Sequence, residues 1–206
     1  MRTLVIETAT EACSAALFED GALLASLYEI IGRGHAERLV PMVAELPGKG
    51  RAGRVVVSLG PGSFTGVRIG LAAARALGLA WRAEVLGYPT LALVAAMARE
   101  SHPGPLTVCM SGGHGEWFVQ DFGANGLPEH QLRSQTPDQA QRDSHYSVAA
   151  GSKARELLLP GEPGIVTLDI LPDARCYPLL PQALLSESLS PLYGRPPDAR
   201  LPAGAA

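Results

Sequence analysis

Residues 58–71 read S-L-G-P-G-S-F-T-G-V-R-I-G-L, four glycines and a proline between an apolar run and an alanine-rich segment, and the first chemistry they suggest is phosphate binding. A P-loop needs G-x-x-x-x-G-K-[ST], but Gly60 and Gly66 stand one residue too far apart and no lysine follows. A dinucleotide fingerprint needs G-x-G-x-x-G, but after Gly60 and Gly62 the third position is Thr65. What remains is a strand-to-helix turn with Ser63 or Thr65 as N-cap. The helix it opens carries Gly66, Gly70, Ala74 and Gly78 at steps of four. A glycine inside a helix costs roughly 0.5–1 kcal/mol relative to alanine, so this spacing predicts a close neighbour, either the chain's own sheet or a helix from another chain.

A second stretch, I-E-T-A-T-E-A-C-S at 6–14, puts Glu7 at a strand end with Thr8 and Thr10 beyond it. Such an arrangement holds a metal-bound phosphate in actin-like and sugar-kinase folds; it is equally an ordinary strand end turning into a hairpin. Catalysis of that kind also wants a carboxylate at the matching turn of a second lobe. The turn there is Ser111-Gly112-Gly113, without one. The five histidines, at 35, 102, 114, 130 and 145, form no H-E-x-x-H and no pair at helical ligand spacing, so no metal site is expected. Ser111 in S-G-G-H-G is no nucleophile elbow, because G-x-S-x-G is absent. No catalytic residue and no cofactor are expected.

A chain of 206 residues with 47% hydrophobic content has enough apolar surface for a full core, as one domain or two small lobes. Its net charge of -3 gives no general attraction for nucleic acid, so any RNA contact must be local or shared with a partner. Cys13, Cys109 and Cys176 lie far apart, odd in number and without C-x-x-C, which suits free thiols in a reducing cytosol. No secretory h-region and no bilayer-length apolar run is visible, so a cytoplasmic protein without membrane contact is expected.

The elements that must position these residues follow from periodicity. Residues 3–6 and 13–18 read as strands, and Asp20-Gly21 before 22–28 predicts a hairpin. In H-A-E-R-L-V-P-M-V-A-E-L at 35–46, Leu39, Met42, Val43 and Leu46 recur at helical spacing, with Pro41 predicting a kink or a later start. Residues 54–58 read as a buried strand, the glycine-rich stretch as a loop into a helix ending near Trp81, 84–86 as a strand and 89–100 as a helix. The sum, β-β-β-α-β-α-β-α, is an α/β lobe with a mixed sheet. After a connector at 101–105 the opening pattern returns: strands at 106–110 and 116–122, then Asn125-Gly126 where Asp20-Gly21 stood, and a strand and helix over 146–159. This weak duplication predicts two lobes of related topology, an N-terminal one over 1–100 and a smaller one over 106–206. Nine of the 17 prolines fall from Pro160 onward, predicting an extended surface tail.

Four segments together carry a resemblance: L-V-I-E-T-A-T-E-A-C-S-A-A-L, H-A-E-R-L-V-P-M-V, V-V-V-S-L-G-P-G-S-F-T-G-V-R-I-G-L-A-A-A-R-A-L and P-L-Y-G-R-P-P-D-A. In these the chain resembles the bacterial TsaB (YeaZ) family, densely over the first hundred residues and sparsely at the last motif. The resemblance implies an actin-like ATPase (ribonuclease H-like) fold with a reduced second lobe. It also implies a role in adding threonylcarbamoyl to the adenosine next to the anticodon in tRNAs that read codons beginning with A. There the family supplies a noncatalytic subunit that activates the catalytic paralogue TsaD, with TsaE joining the pair and tRNA met only through the complex. Members pair with TsaD, or with themselves when alone, through two helices of the first lobe. Carried onto this chain, that interface is His35, Leu39, Met42, Val43 and Leu46 on one helix and Phe64, Val67, Arg68, Leu71 and Arg75 on the next. A vestigial nucleotide site would comprise Glu7, Thr8, Thr10, Gly60 and Gly62. Two departures weaken that site: Glu7 replaces a usual Asp, and Ser111-Gly112-Gly113 replaces a commoner Asp-Ala-Arg. The competing expectations are a glycoprotease-like peptidase, which lacks a visible nucleophile or metal cluster, and a kinase-like nucleotide-binding protein, which lacks the second-lobe acid.

Overall fold

A computed structural model describes residues 1–159 and 163–194. The chain opens with β1 (Arg2–Glu7), β2 (Ala12–Glu19) and β3 (Ala22–Ile30). Asp20 and Gly21 both take positive φ, 50° and 84°, the tight turn whose twist matches the strands it joins. Then come α1 (His35–Glu45), β4 (Arg54–Ser58), α2 (Phe64–Trp81), β5 (Glu84–Tyr88) and α3 (Thr90–Arg99). The strands form one sheet ordered β3-β2-β1-β4-β5, antiparallel through the hairpins and parallel from β1 outward. Helix α1 runs on through Pro41 rather than starting there. The missing N–H deprives one carbonyl of its helical partner, but Pro41 and Glu37 both lie exposed, on the side of the helix turned to solvent.

The second sheet repeats the plan. Strands β6 (Leu106–Gly113), β7 (Glu116–Phe122) and β8 (Arg133–Gln135), helix α4 (Pro137–Asp143), strand β9 (Val148–Ala150), helix α5 (Ala154–Leu157) and strand β10 (Val166–Leu168) give the order β10-β9-β6-β7-β8. Its pairings are antiparallel on the β7 side and parallel on the β9 side, as in the first sheet. The lobes therefore share a topology, and the second is reduced in its outer parts, with three-residue strands at β8, β9 and β10 and a one-turn α5.

Alternation along β4 divides the core. Val55 and Val57 point to the layer of α1 and α2 with Leu4, Ile6, Leu39, Met42 and Leu71, while Val56 joins Val5, Tyr88 and α3 between the two sheets. Each such buried aliphatic side chain contributes about 1.5–3 kcal/mol. A third, smaller cluster, with Cys109, Trp117, Val119 and Leu157, covers the outer face of the second sheet.

The proline-rich end is not a tail on the surface as far as it is described. Short 3-10 helices at Ala174–Leu179 and Gln182–Leu184 lead back over the first lobe. The Ala174 amide donates to the buried Ser14 hydroxyl at 3.0 Å. Ser186 and Gly87 exchange both backbone hydrogen bonds, at 2.8 and 2.9 Å, and the Leu192 amide donates to the Leu59 carbonyl at 2.8 Å. Apolar contacts of Ile170, Leu171 and Tyr177 with the inter-sheet core, invisible to proline counting, account for the return. Residues 160–162 and 195–206, with the last five residues of the P-L-Y-G-R-P-P-D-A motif, lie outside the described residues.

Candidate functional site

The glycine-rich turn joins β4 to α2 and is packed against the end of β1. The Ser63 hydroxyl caps α2 by accepting from the Gly66 amide at 3.2 Å, and the Ser63 amide donates to the Ala9 carbonyl at 2.7 Å. A Cβ on Gly62 would stand 2.0 Å from the Ala9 oxygen, one on Gly66 2.1 Å from the Thr8 oxygen, and one on Gly70 2.4 Å from the Thr8 hydroxyl. Gly78 meets Val85 in the same way, at 2.3 Å. Of the two neighbours that the stripe allowed, the chain's own sheet is the one present: the glycines bring α2 onto β1 and β5.

Glu7 is buried completely at the end of β1. Its carboxylate accepts from the Ala9 amide at 2.7 Å and the Tyr88 hydroxyl at 3.0 Å. Burial pushes its pKa up to about 7, against the pull of those donors and of Ser58. Beside it the Ser58 and Thr90 hydroxyls lie 2.5 Å apart, and Ser58 also accepts from the Gly60 amide at 3.1 Å. Thr8 donates to the Gly66 carbonyl at 2.8 Å, and the Thr10 hydroxyl accepts from the Ala12 amide at 3.2 Å. In the expected nucleotide set, then, Glu7, Thr8 and Gly60 serve the turn. Only Thr10 and Gly62 reach open space. Glu7 itself is fully buried, hydrogen-bonded to the Tyr88 hydroxyl, and does not line that open space.

That open space is a cleft of about 780 Å³ between the lobes. The first lobe lines it with Thr10, Glu11, Ser63, Phe64 and Arg68, the second with Met110, Ser111, Gly112, His114 and Ser152, and the C-terminal segment with Tyr193. Across its rim the Arg68 guanidinium lies 3.4 Å from the Phe64 ring centroid and donates to the Tyr193 hydroxyl from Nη2 at 3.0 Å.

The expected interface residues divide. Leu39, Met42, Val43, Leu46, Val67 and Leu71 are core residues under the first sheet, and His35 is buried with its Nε2 3.3 Å from the Ala12 carbonyl. The residues recurring at helical spacing mark the stripe a helix buries on its own sheet, so they do not face a partner. Phe64 and Arg68 belong to the cleft rim, and Arg75 donates to the Leu189 carbonyl at 2.9 Å, holding the C-terminal segment. The surface that α1 and α2 leave open was missed: Val40 is 62% exposed and Leu79 85%, with Ala44, Ala72, Ala76 and Ala80 open beside them. A groove of about 110 Å³ runs between the helices, lined by Val40, Ala44, Lys49, Ala73, Leu77 and Trp81. The signal was present, since α2 is apolar around most of its circumference, more than one sheet can cover.

Among the described residues no group of three or more His, Cys, Asp or Glu is placed to hold a metal ion, and no helix is long and apolar enough to cross a membrane. Burial raises the Cys13 thiol to about 11 and the Cys109 thiol to about 12, which keeps both protonated and poor nucleophiles near neutral pH.

Comparison with known proteins agrees with this architecture. A family model described as TsaD, tRNA N6-adenosine threonylcarbamoyltransferase, matches residues 28–167. The tRNA threonylcarbamoyladenosine biosynthesis protein TsaB of Escherichia coli is 44% identical over 100 residues, 46% of this chain and 43% of that protein. The tRNA N6-adenosine threonylcarbamoyltransferase of an Anaeromyxobacter species is 31% identical over 196 residues, 83% of this chain and 56% of the relative. The chain thus spans about half the length of the curated relatives it matches. The structure of YeaZ from Pseudomonas aeruginosa superposes with a TM-score of 0.71 at 28% identity, covering 85% of this chain and 87% of that one. With its paired mixed sheets of one topology and the motifs around Glu7 and Gly62, the chain belongs to the TsaB (YeaZ) family of tRNA threonylcarbamoyladenosine biosynthesis proteins.

Proposed function

We propose that this chain is a noncatalytic subunit in threonylcarbamoyladenosine formation, one that binds the paralogue TsaD through the open face of α1 and α2 and thereby activates it. The observation carrying this reading is that face itself. Leu79 and Val40 stand in water beside alanines that let another helix approach closely, an arrangement that a chain working alone has no reason to keep. The buried Glu7 supports a role without phosphate chemistry of its own. With no excess of positive charge, tRNA is met through the complex, where TsaE also joins. The same face serves a homodimer when TsaD is absent, and the N-terminal lobe over 1–100 is the partner-binding unit.

Gel filtration with TsaD tests the surface. Leu79→Asp and Val40→Asp are expected to abolish co-elution while leaving monomer stability within about 0.5 kcal/mol, because neither side chain is packed. Leu71→Asp would not serve, since Leu71 is core. Co-elution of both variants with TsaD would remove this face from the reading. Reconstitution with TsaD, TsaE and the enzyme that makes threonylcarbamoyl-adenylate tests the activation: equal yields of modified tRNA with and without this chain would refute it.

A further inference from the structure

Each sheet ends in two strands whose outer backbone groups can pair with another extended chain, and among the described residues three of these four edges are blunted. Ser186 occupies β5 at Gly87, and β8 and β10 run for three residues each. Strand β3 is the exception. It spans nine residues, Ala22–Ile30, without lysine or proline, and among the described residues its backbone pairs with β2 alone. A bulge leaves Leu24 without a partner, since Leu17 pairs with Ala25 and Phe18 with Leu23, and it confines regular pairing to residues 25–30, a run about 20 Å long. At the two ends of this run Leu24 is 41% exposed and Ile30 67%.

The free groups follow a fixed pattern. The Ile31 amide donates to the Glu11 carbonyl at 2.9 Å, directly opposite in the register that pairs Ala12 with Ile30, so residues 27, 29 and 31 turn their backbone groups toward β2. Ser26, Tyr28 and Ile30 therefore turn theirs outward. A second, antiparallel copy of the strand, related by a two-fold axis at Leu27, brings Ser26 opposite Tyr28 and Ala25 opposite Glu29, with Leu24 toward Ile30 at the ends, each pair occurring twice. Outward groups then meet outward groups. The one charge of the strand never meets its like, because Glu29 faces Ala25 and its carboxylate is already held by Arg38 Nε at 2.8 Å. The exposed apolar ends cover each other. Residues 195–206 fit this edge less well, because Pro196, Pro197 and Pro202 have no N–H to give a ladder.

We propose that β3 is a self-association edge, through which two copies of this chain pair antiparallel about Leu27 and join their five-stranded sheets into one continuous sheet. The ladder is short, so the association is reversible and depends on concentration. It does not use the open face of α1 and α2, which is turned away from the sheet while the edge lies at its side. Each copy in the pair therefore keeps that face for its own partner.

Sedimentation velocity of the full chain carrying Leu79→Asp, which takes the helix face out of play, tests this. A monomer–dimer equilibrium is expected at chain concentrations up to about 100 µM. Adding Ser26→Pro removes an outward N–H and leaves the β2 ladder intact; it is expected to weaken the dimer at least about tenfold with the thermal midpoint unchanged. In the wild-type background Ser26→Pro is expected to co-elute with TsaD as the unaltered chain does, so the two surfaces are read apart. Cross-linking tests the register independently of how well Ser26→Pro folds. Opposite residues at the axis stand about 4.5 Å apart at Cα, so Leu27→Cys is expected to give a covalent dimer on mild oxidation. In Ile30→Cys the two thiols lie six residues apart along the ladder, about 20 Å, and no covalent dimer is expected. A monomer at every concentration, a dimer that survives Ser26→Pro, or cross-linking through Ile30→Cys rather than Leu27→Cys would each overturn the proposal.

Discussion

Glu7 gives the molecule a pH dependence that can be worked through. Its carboxyl is fully buried and titrates near 7 rather than at 4.5, with burial as the largest cause. A folded-state pKa raised above the unfolded one means that the native chain holds the proton more tightly. This contribution to stability is complete below pH 4.5 and is lost as pH rises toward about 7, at about 1.4 kcal/mol per pH unit. The whole loss is on the order of 3 kcal/mol, a large share of a total stability of about 5–15 kcal/mol. Glu7→Gln imitates the protonated form: its carbonyl still accepts from the Ala9 amide, its NH2 faces the Tyr88 oxygen, and the Tyr88 hydroxyl turns to the Ile6 carbonyl, now 3.4 Å away. Urea unfolding of both chains at several pH values between 5 and 8 is the assay, and the difference between them cancels every other titration. The Gln variant is expected to gain on the wild type as pH rises, by about 1–3 kcal/mol at pH 8. A difference flat across this range, or one that moves the other way, refutes the assignment of the proton to Glu7.

Two further substitutions probe the packing. Gly66→Ala drives a methyl to 2.1 Å from the Thr8 oxygen, and because a backbone atom is in the way the loss is expected at about 3 kcal/mol or more, read as a lower urea midpoint; full stability would mean that α2 does not rest on β1 as described. Ser14→Ala strips the buried Ala174 amide of its acceptor and is expected to cost about 1–3 kcal/mol, with faster hydrogen exchange at Ala174, whereas unchanged exchange there would deny the anchoring of the C-terminal segment.

The first lobe was legible almost element by element, because its signals are local: the Asp20-Gly21 turn, the β-branched run of β4, the helical spacing of Leu39, Met42, Val43 and Leu46. The second lobe was legible as a repeat but not in its small parts. Arg133–Gln135 and Val166–Leu168 are three-residue strands set by their neighbours, and α4 shows itself only through Thr136 and Gln139, which form a capping box. Site residues were harder to read, since apolar periodicity marks the buried stripe of a helix and is silent on what the other side does. It therefore pointed at Leu39 and Leu71 and passed over Val40 and Leu79. The meeting of Arg68 with Tyr193, 125 residues away, left no trace in either local sequence.

The return of the C-terminal segment also settles the fate of an edge. Strand β5 is the last of its sheet, and an edge strand offers free amides and carbonyls to any other extended chain. Ser186 occupies those groups at Gly87 through a pair of backbone hydrogen bonds, and the Leu192 amide fills the Leu59 carbonyl just beyond the end of β4. The protein thus blunts its own sheet against unwanted strand addition with residues a hundred positions downstream, and the segment holding Tyr193 at the cleft is the same one that keeps that edge closed.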